Sequence, residues 1–138
     1  MKKYWLMITA IILIIVSLLL YKCSVKRFDS SKLLDGYVSF NDGSNLVTKR
    51  MTAKDERNIL SILDGNKLFH ESLSCGFGPE AAVIFYDETG IEMPIYFAQD
   101  DCDYVYSAQN QMFIAISDAD IKVIYSILAR YGLIFPCI

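Results

Sequence analysis

Apolar and polar positions follow three different rhythms along this chain. Over residues 4–21 there is no alternation: YWLMITAIILIIVSLLLY holds no charged residue, and only Thr9 and Ser17 interrupt it between its tyrosine ends. Eighteen helical residues rising about 1.5 Å each cover roughly 27 Å, close to the ~30 Å hydrocarbon thickness of a bilayer. Tyr4, Trp5 and Tyr21 stand at the two ends, where amphipathic rings favour the membrane interface. The expectation is a single N-terminal transmembrane helix (residues 1–21, with 4–21 in the membrane), a juxtamembrane linker (22–35) and one globular domain (36–138).

The rhythm then changes to period two. Residues 37–40 and 45–48 flank Asn41-Asp42-Gly43-Ser44, and an Asp-Gly step suits a hairpin turn that needs positive φ. Residues 67–71 could form a short strand, and 81–86 are an apolar run of strand length. After a turn at 87–90, Ile91, Met93, Ile95 and Phe97 alternate with Glu92, Pro94 and Tyr96, the pattern of a half-buried strand. Pro94 has no N–H, so this strand is expected at an edge or a bulge. Residues 104–106 and 112–116 make a second hairpin.

Two segments carry the helical period. Thr52-x-x-Asp55 and Ser117-x-x-Asp120 have the spacing of capping boxes. Each opens an apolar stripe: Ile59, Leu60, Ile62 and Leu63 in one, Ile121, Ile124, Ile127, Leu128 and Tyr131 in the other. Gly65 and Gly132 close them, since glycine accepts the left-handed conformation past a helix end. ILSIL at 59–63 echoes IYSIL at 124–128, which suggests either a duplicated unit or two helices packing one apolar face on a sheet. The fold class expected is α+β: an antiparallel sheet with two amphipathic helices on one face, preceded by the transmembrane helix.

Composition sharpens the anchor. The 138 residues are 54% hydrophobic with mean hydropathy +0.32, and the N-terminal run supplies the excess. A cleaved signal peptide is the competing reading. The run outlasts a usual signal core, however, and no Ala-x-Ala-like site follows. A lipoprotein reading of Cys23 lacks the small residues it needs, because Leu20-Tyr21-Lys22 precede it. Lys22, Lys26, Arg27 and Lys32 after the run outnumber Lys2 and Lys3 before it, which alone favours a cytoplasmic domain. Four cysteines favour an oxidising compartment, and the two-lysine start resembles a bacterial signal anchor. The globular domain is therefore expected on the exported side.

Charge divides unevenly. Five of the 13 Lys and Arg (Lys2, Lys3, Lys22, Lys26, Arg27) precede residue 28, whereas all 16 Asp and Glu follow it, so residues 28–138 carry net charge −8. Such a domain repels phosphate backbones and anionic lipid, which disfavours nucleic acid and favours a basic protein or a cation.

Candidate chemistry is sparse. Cys75 precedes one expected strand and Cys102 follows its neighbour. If those strands pair, the cysteines can approach the ~5.5–6 Å Cα separation of a disulfide, closing a loop of roughly 27 residues worth about 3 kcal/mol in the chain-entropy model. Cys23 and Cys137 are assigned no partner. Asp100, Asp101 and Asp103 concentrate carboxylate without the spacing of a calcium loop. A chain with one histidine and no C-x-x-C pair has no zinc pattern. Gly76-Phe77-Gly78-Pro79-Glu80-Ala81 fits G-x-G-x-x-[GA] loosely, but a strand-like run follows where a dinucleotide site needs a helix. His70 is the one base available to Cys75. Tyr86, Tyr96, Phe97, Tyr104 and Tyr106 are candidates for a recognition face, against the plainer alternative of sheet packing.

The first helix, CGF at 75–77, Cys102, the Ile-Ser-Asp start at 116–118 and the Tyr131-Gly132 end resemble, over roughly residues 50–132, a class of small bacterial exported or membrane-anchored proteins. The resemblance implies no activity. Without a catalytic, cofactor or metal pattern, the expected function is a membrane-anchored, non-enzymatic interaction domain, inhibitor or immunity-type in one form. Asp100, Asp101, Asp103, Tyr104 and Tyr106 are its expected contacts. The alternatives are an accessory subunit of a membrane complex and an enzyme using His70 with Cys75.

Overall fold

The computed structural model describes residues 2–70, 75–98 and 104–133. Among them, the elements run α1 (Lys2–Ser24), β1 (Leu33–Asn41), β2 (Leu46–Arg50), α2 (Ala53–Leu63), β3 (Leu68–Phe69), β4 (Phe77–Asp87), β5 (Glu92–Ala98), β6 (Tyr104–Ser107), β7 (Met112–Ala115) and α3 (Asp118–Tyr131). The strands make one sheet in the order β2-β1-β4-β5-β6-β7-β3, and each neighbouring pair is antiparallel. The fold is α+β. Pro94 sits inside the sheet on β5, paired with Ile84, rather than at an edge. Its carbonyl still accepts from Ala108 N–H at 3.1 Å.

Capping residues start both globular helices where the sequence places them. The Thr52 hydroxyl accepts from Asp55 N–H at 3.2 Å, and Ser117 Oγ accepts from Asp120 N–H at 3.2 Å while donating to Asp120 Oδ2 at 2.7 Å. Each satisfies an N–H that has no partner within its own helix. α3 ends on Gly132 at φ +101°, a left-handed backbone that an L side chain rarely adopts.

Register fixes which side chains face the helices. Lys49, Val38, Val83, Ile95, Ser107 and Met112 lie opposite one another in a row from β2 to β7. Val38, Val83 and Ile95 are almost fully buried, in one apolar cluster with Phe85, Phe97, Val105 and Ile114. The helices join that cluster through matching positions of the repeated pentapeptide: Ile59 and Leu63 from α2, Ile124 and Leu128 from α3, all fully buried. The likeness of the two helices thus serves one task, covering the same sheet face.

A polar clamp ties the start of α2 to the end of α3. Asp55 is 7% exposed. It accepts from the Tyr131 hydroxyl at 2.8 Å and pairs with the Arg130 guanidinium. The Tyr131 hydroxyl in turn accepts from Thr52 N–H at 2.8 Å, and the Tyr131 carbonyl accepts from Lys49 Nζ at 2.7 Å. Burial pushes the Asp55 carboxyl up, but the hydrogen bonds from Tyr131 and Thr52 and the charge of Arg130 together outweigh it and hold the group below its ordinary value.

Two expectations change. Within the segment expected to be a linker, Phe28 is buried, Arg27 bridges Lys67, and Leu33 opens β1. The folded domain therefore begins near residue 27, because the sheet core needs those apolar side chains. Residues 4–21 do lie in a helix, and the described side chains of α1 are exposed. Among the described residues, however, no helix is long and apolar enough to cross a membrane. The structure thus leaves the transmembrane assignment of residues 4–21 unsupported.

Tyr131→Phe should cost about 1 kcal/mol, the net worth of its hydrogen bonds. Asp55→Asn should cost about 1–2 kcal/mol, discounted because the Arg130 side chain is 57% exposed. A carboxyl depressed in the folded state adds stability that is present above its unfolded value, near pH 4, and is lost as pH falls through the lower folded value. Urea unfolding between pH 2 and 5 should therefore show a shallower acid loss for Asp55→Asn than for the unmodified chain. Parallel curves would remove Asp55 from the account.

Candidate functional site

Both globular helices cover one face of the sheet, and among the described residues no helix covers the other. Alternation along each strand fills that open face with rings. One row crosses all seven strands in register: Thr48, Ser39, Ala82, Tyr96, Tyr106, Phe113, Phe69. Its last four members are aromatic and half-buried. Across strands spaced about 4.8 Å apart they form a strip roughly 14 Å long.

The rings support one another. Tyr96 stacks on Tyr106 with centroids 6.3 Å apart and planes at 12°, and Tyr106 meets Phe113 at 5.1 Å. Phe113 meets Phe69 at 5.9 Å and Phe77 at 5.4 Å, and Phe69 meets the edge of Tyr104 at 5.3 Å. Cross-strand aromatic pairs of this kind contribute about 0.5–1.5 kcal/mol each beyond burial.

A second cluster occupies the far corner, where β1, β4 and β5 meet. Tyr37 and Tyr86 lie edge to face at 5.6 Å, and the Tyr86 hydroxyl donates to Glu92 Oε1 at 3.0 Å. That bond to a carboxylate holds the phenol proton and, with some burial, raises Tyr86 above its ordinary value. Glu92 is exposed. On β2, three strands from Glu92, Arg50 lies opposite Tyr37 and pairs with Asp35.

Of the expected recognition residues, Tyr86, Tyr96, Tyr104 and Tyr106 share this face. Phe97 does not: it is fully buried on the helix side, edge-on to Tyr125 at 6.4 Å. The sequence reading missed Tyr37, Phe69, Phe77 and Phe113. Strand parity was the available signal, since Phe113 lies two residues from Ala115 and one from buried Ile114. Asp100, Asp101, Asp103, Cys102 and Cys137 lie outside the described residues.

Cys75 is disulfide-bonded and half-buried just before β4. Phe77 pairs with Ala98, which brings the starting end of β4 beside the finishing end of β5. His70 is exposed just beyond β3. The turn carboxylate of Asp87 is occupied by its own loop: it accepts from the Thr89 hydroxyl at 2.6 Å and from the N–H groups of Thr89 and Ile91. The Thr89 hydroxyl, with those N–H groups, holds it below its ordinary value. Among the described residues, no three His, Cys, Asp or Glu side chains gather as metal ligands would. The glycine-rich 76–81 segment runs into β4 rather than a helix. A cleft of about 320 Å³ lies between α2 and α3, lined by Thr52, Asn58, Val123 and Ser126 around the Asp55–Arg130 pair. Compared with known proteins, the chain matches no family model, no curated protein and no solved structure.

Peptide mapping without reductant should return Cys75 only within a cross-linked pair of peptides. Alkylated Cys75 in the unreduced, denatured sample would contradict the bond.

Proposed function

We propose that this chain is a membrane-anchored, non-enzymatic interaction domain that meets its partner through the open sheet face. The observation that carries the reading is the half-buried aromatic row Tyr96–Tyr106–Phe113–Phe69, on the face that no helix covers among the described residues. Tyrosine-rich, half-buried surface of this kind is enriched where proteins dock, because the ring adds large contact area at small entropic cost. The partner is a basic protein. The net charge of −8 over residues 28–138 supports this, and the sequence offers Asp100, Asp101 and Asp103 just before Tyr104 as acidic contacts. Nucleic acid fits the same charge poorly.

The anchor is residues 4–21, proposed on sequence: an uncharged run of membrane-spanning length with aromatic ends. The domain is placed on the exported side, with Cys102 as the disulfide partner of Cys75. The oxidised state of Cys75 is in keeping with that compartment. It also weighs against catalysis with His70, since a sulfur in a disulfide offers no thiolate. An inhibitor or immunity-type role is one form of this reading. An accessory subunit of a membrane complex is the second reading, favoured by the exposed apolar side chains of α1. Replacing α1 by an unrelated span should abolish function only in that case.

The test is site-specific photo-crosslinking in intact cells. The crosslinker p-benzoylphenylalanine is placed singly at Tyr96, Tyr106 or Val123, with Val123 serving as the exposed helix-side control. The sheet positions should give one shared discrete adduct that the helix position lacks, and equal yields at all three would overturn the docking face. Separately, the full chain should stay in the membrane pellet through alkaline carbonate at unprocessed mass. Its release, or a mature N-terminus near residue 23, would remove the anchor.

A further inference from the structure

Resting on the open face as the docking surface, we propose that the Tyr37–Tyr86–Glu92 corner is a binding site for one arginine side chain of an extended partner segment. Two rings stand there nearly perpendicular, at 83° with centroids 5.6 Å apart. Glu92 stands at the rim. One of its oxygens receives the Tyr86 hydroxyl, and among the described residues the other receives no hydrogen bond and Glu92 has no cationic partner. Arg50, opposite Tyr37, is already paired with Asp35, and Lys32, just before the β1 residues that lie opposite Asp87 and Tyr86, makes no ion pair with Glu92. The corner therefore holds a carboxylate with no ion pair among the described residues beside an edge-to-face pair of tyrosine rings, and its complement is a cation that can stack. Guanidinium fits better than ammonium: it is planar, it lies flat on a tyrosine ring, and it offers several N–H donors to a carboxylate.

Geometry sets the rest of the occupant. On β4, Ala82 belongs to the seven-strand row, Ile84 lies two residues on, and Tyr86 two further, about 13 Å from Ala82. A segment lying along this line in extended form presents alternate residues to the sheet. It would place an aromatic residue at the Tyr96–Tyr106 row, an apolar residue over Ile84 and Pro94, and arginine four positions beyond the first in the corner.

The probe is the labelled peptide acetyl-Phe-Ser-Val-Ser-Arg-Ser-amide, titrated by fluorescence anisotropy against the full chain in nonionic detergent. Replacing its arginine by norleucine should weaken binding about fivefold, the scale of one exposed cation–π contact with one exposed ion pair. Lysine in that place should recover only part of the loss. Glu92→Gln, which can keep the Tyr86 hydrogen bond, should weaken the arginine peptide equally and leave the norleucine peptide unchanged. Glu88→Gln, the same charge change in the β4–β5 turn, should alter neither. Equal binding of arginine and norleucine peptides, equal effects of Glu92→Gln and Glu88→Gln, or no binding of any peptide would overturn the arginine site. A lysine peptide matching the arginine one would overturn the choice of guanidinium. Photo-crosslinking at Tyr96 and Tyr106 is independent of these titrations, so the docking face can stand while the corner site falls.

Discussion

Val38 lies opposite Val83, and Val83 opposite Ile95, across the neighbouring strands β1, β4 and β5. This row determines the rest. Because strand side chains alternate between faces, one residue of slip would send every buried side chain to the open side. With the row fixed, Phe40, Ala81, Phe85 and Phe97 fall on the face that α2 and α3 cover. Tyr37, Ile84, Tyr86, Tyr96 and Tyr106 are then forced to the other. Among the described residues, α2 and α3 are the helices that pack on the sheet, and both lie on one face. The candidate surface is a consequence of the same pairing that makes the core.

The row is itself held by features at its ends. β1 shifts register between Leu34 and Tyr37. Asp35 sits there at positive φ and Gly36 follows. A Cβ on Gly36 would meet Phe85 Cε1 at 2.9 Å and the Met51 side chain closer still. The shift is pinned from outside by Met51 N–H donating to the Gly36 carbonyl, by Glu56 accepting from Gly36 N–H, and by Arg50 pairing with Asp35. Those three partners lie between the end of β2 and the first turn of α2. The hairpin, the bulge and the helix start are thus one connected unit, and the Asp55 clamp joins α3 to it.

Local signals in the sequence were read well because they are decided locally. A hydroxyl three residues before an acid started both helices, and Gly132 ended α3, whereas α2 stops one residue earlier than its glycine, on Asp64 in an extended conformation. The 37–48 hairpin turned where Asp42 accepts from the N–H groups of Ser44 and Asn45. Long-range pairing left weaker marks. Nothing near Pro94 says that a strand lacking that N–H would sit between two others, and nothing near residues 26–33 separates a tether from an edge of the core. The aromatic site was half legible for the same reason. Composition gave the tyrosines, but parity within a registered sheet was needed to move Phe97 inside and to add Tyr37 and Phe113.

The two aromatic clusters also belong to the packing of the sheet. The row from Tyr96 to Phe69 has a structural reason to exist. β6 and β7 are four residues each and β3 only two, and ring contacts of about 0.5–1.5 kcal/mol per pair stabilise short strands that backbone pairing alone would leave frayed. Packing accounts for much of that row. The corner has a reason of its own. β1 and β4 are nine and eleven residues long, but the ladder between them breaks between Leu34 and Tyr37, and the contact of Tyr37 with Tyr86 spans that break. Glu92, an exposed carboxylate hydrogen-bonded to a tyrosine, contributes at most a small net stabilisation at a solvated edge. Packing thus gives both clusters a structural reason without filling either, because the row stays half-buried and Glu92 keeps one oxygen without a hydrogen bond among the described residues.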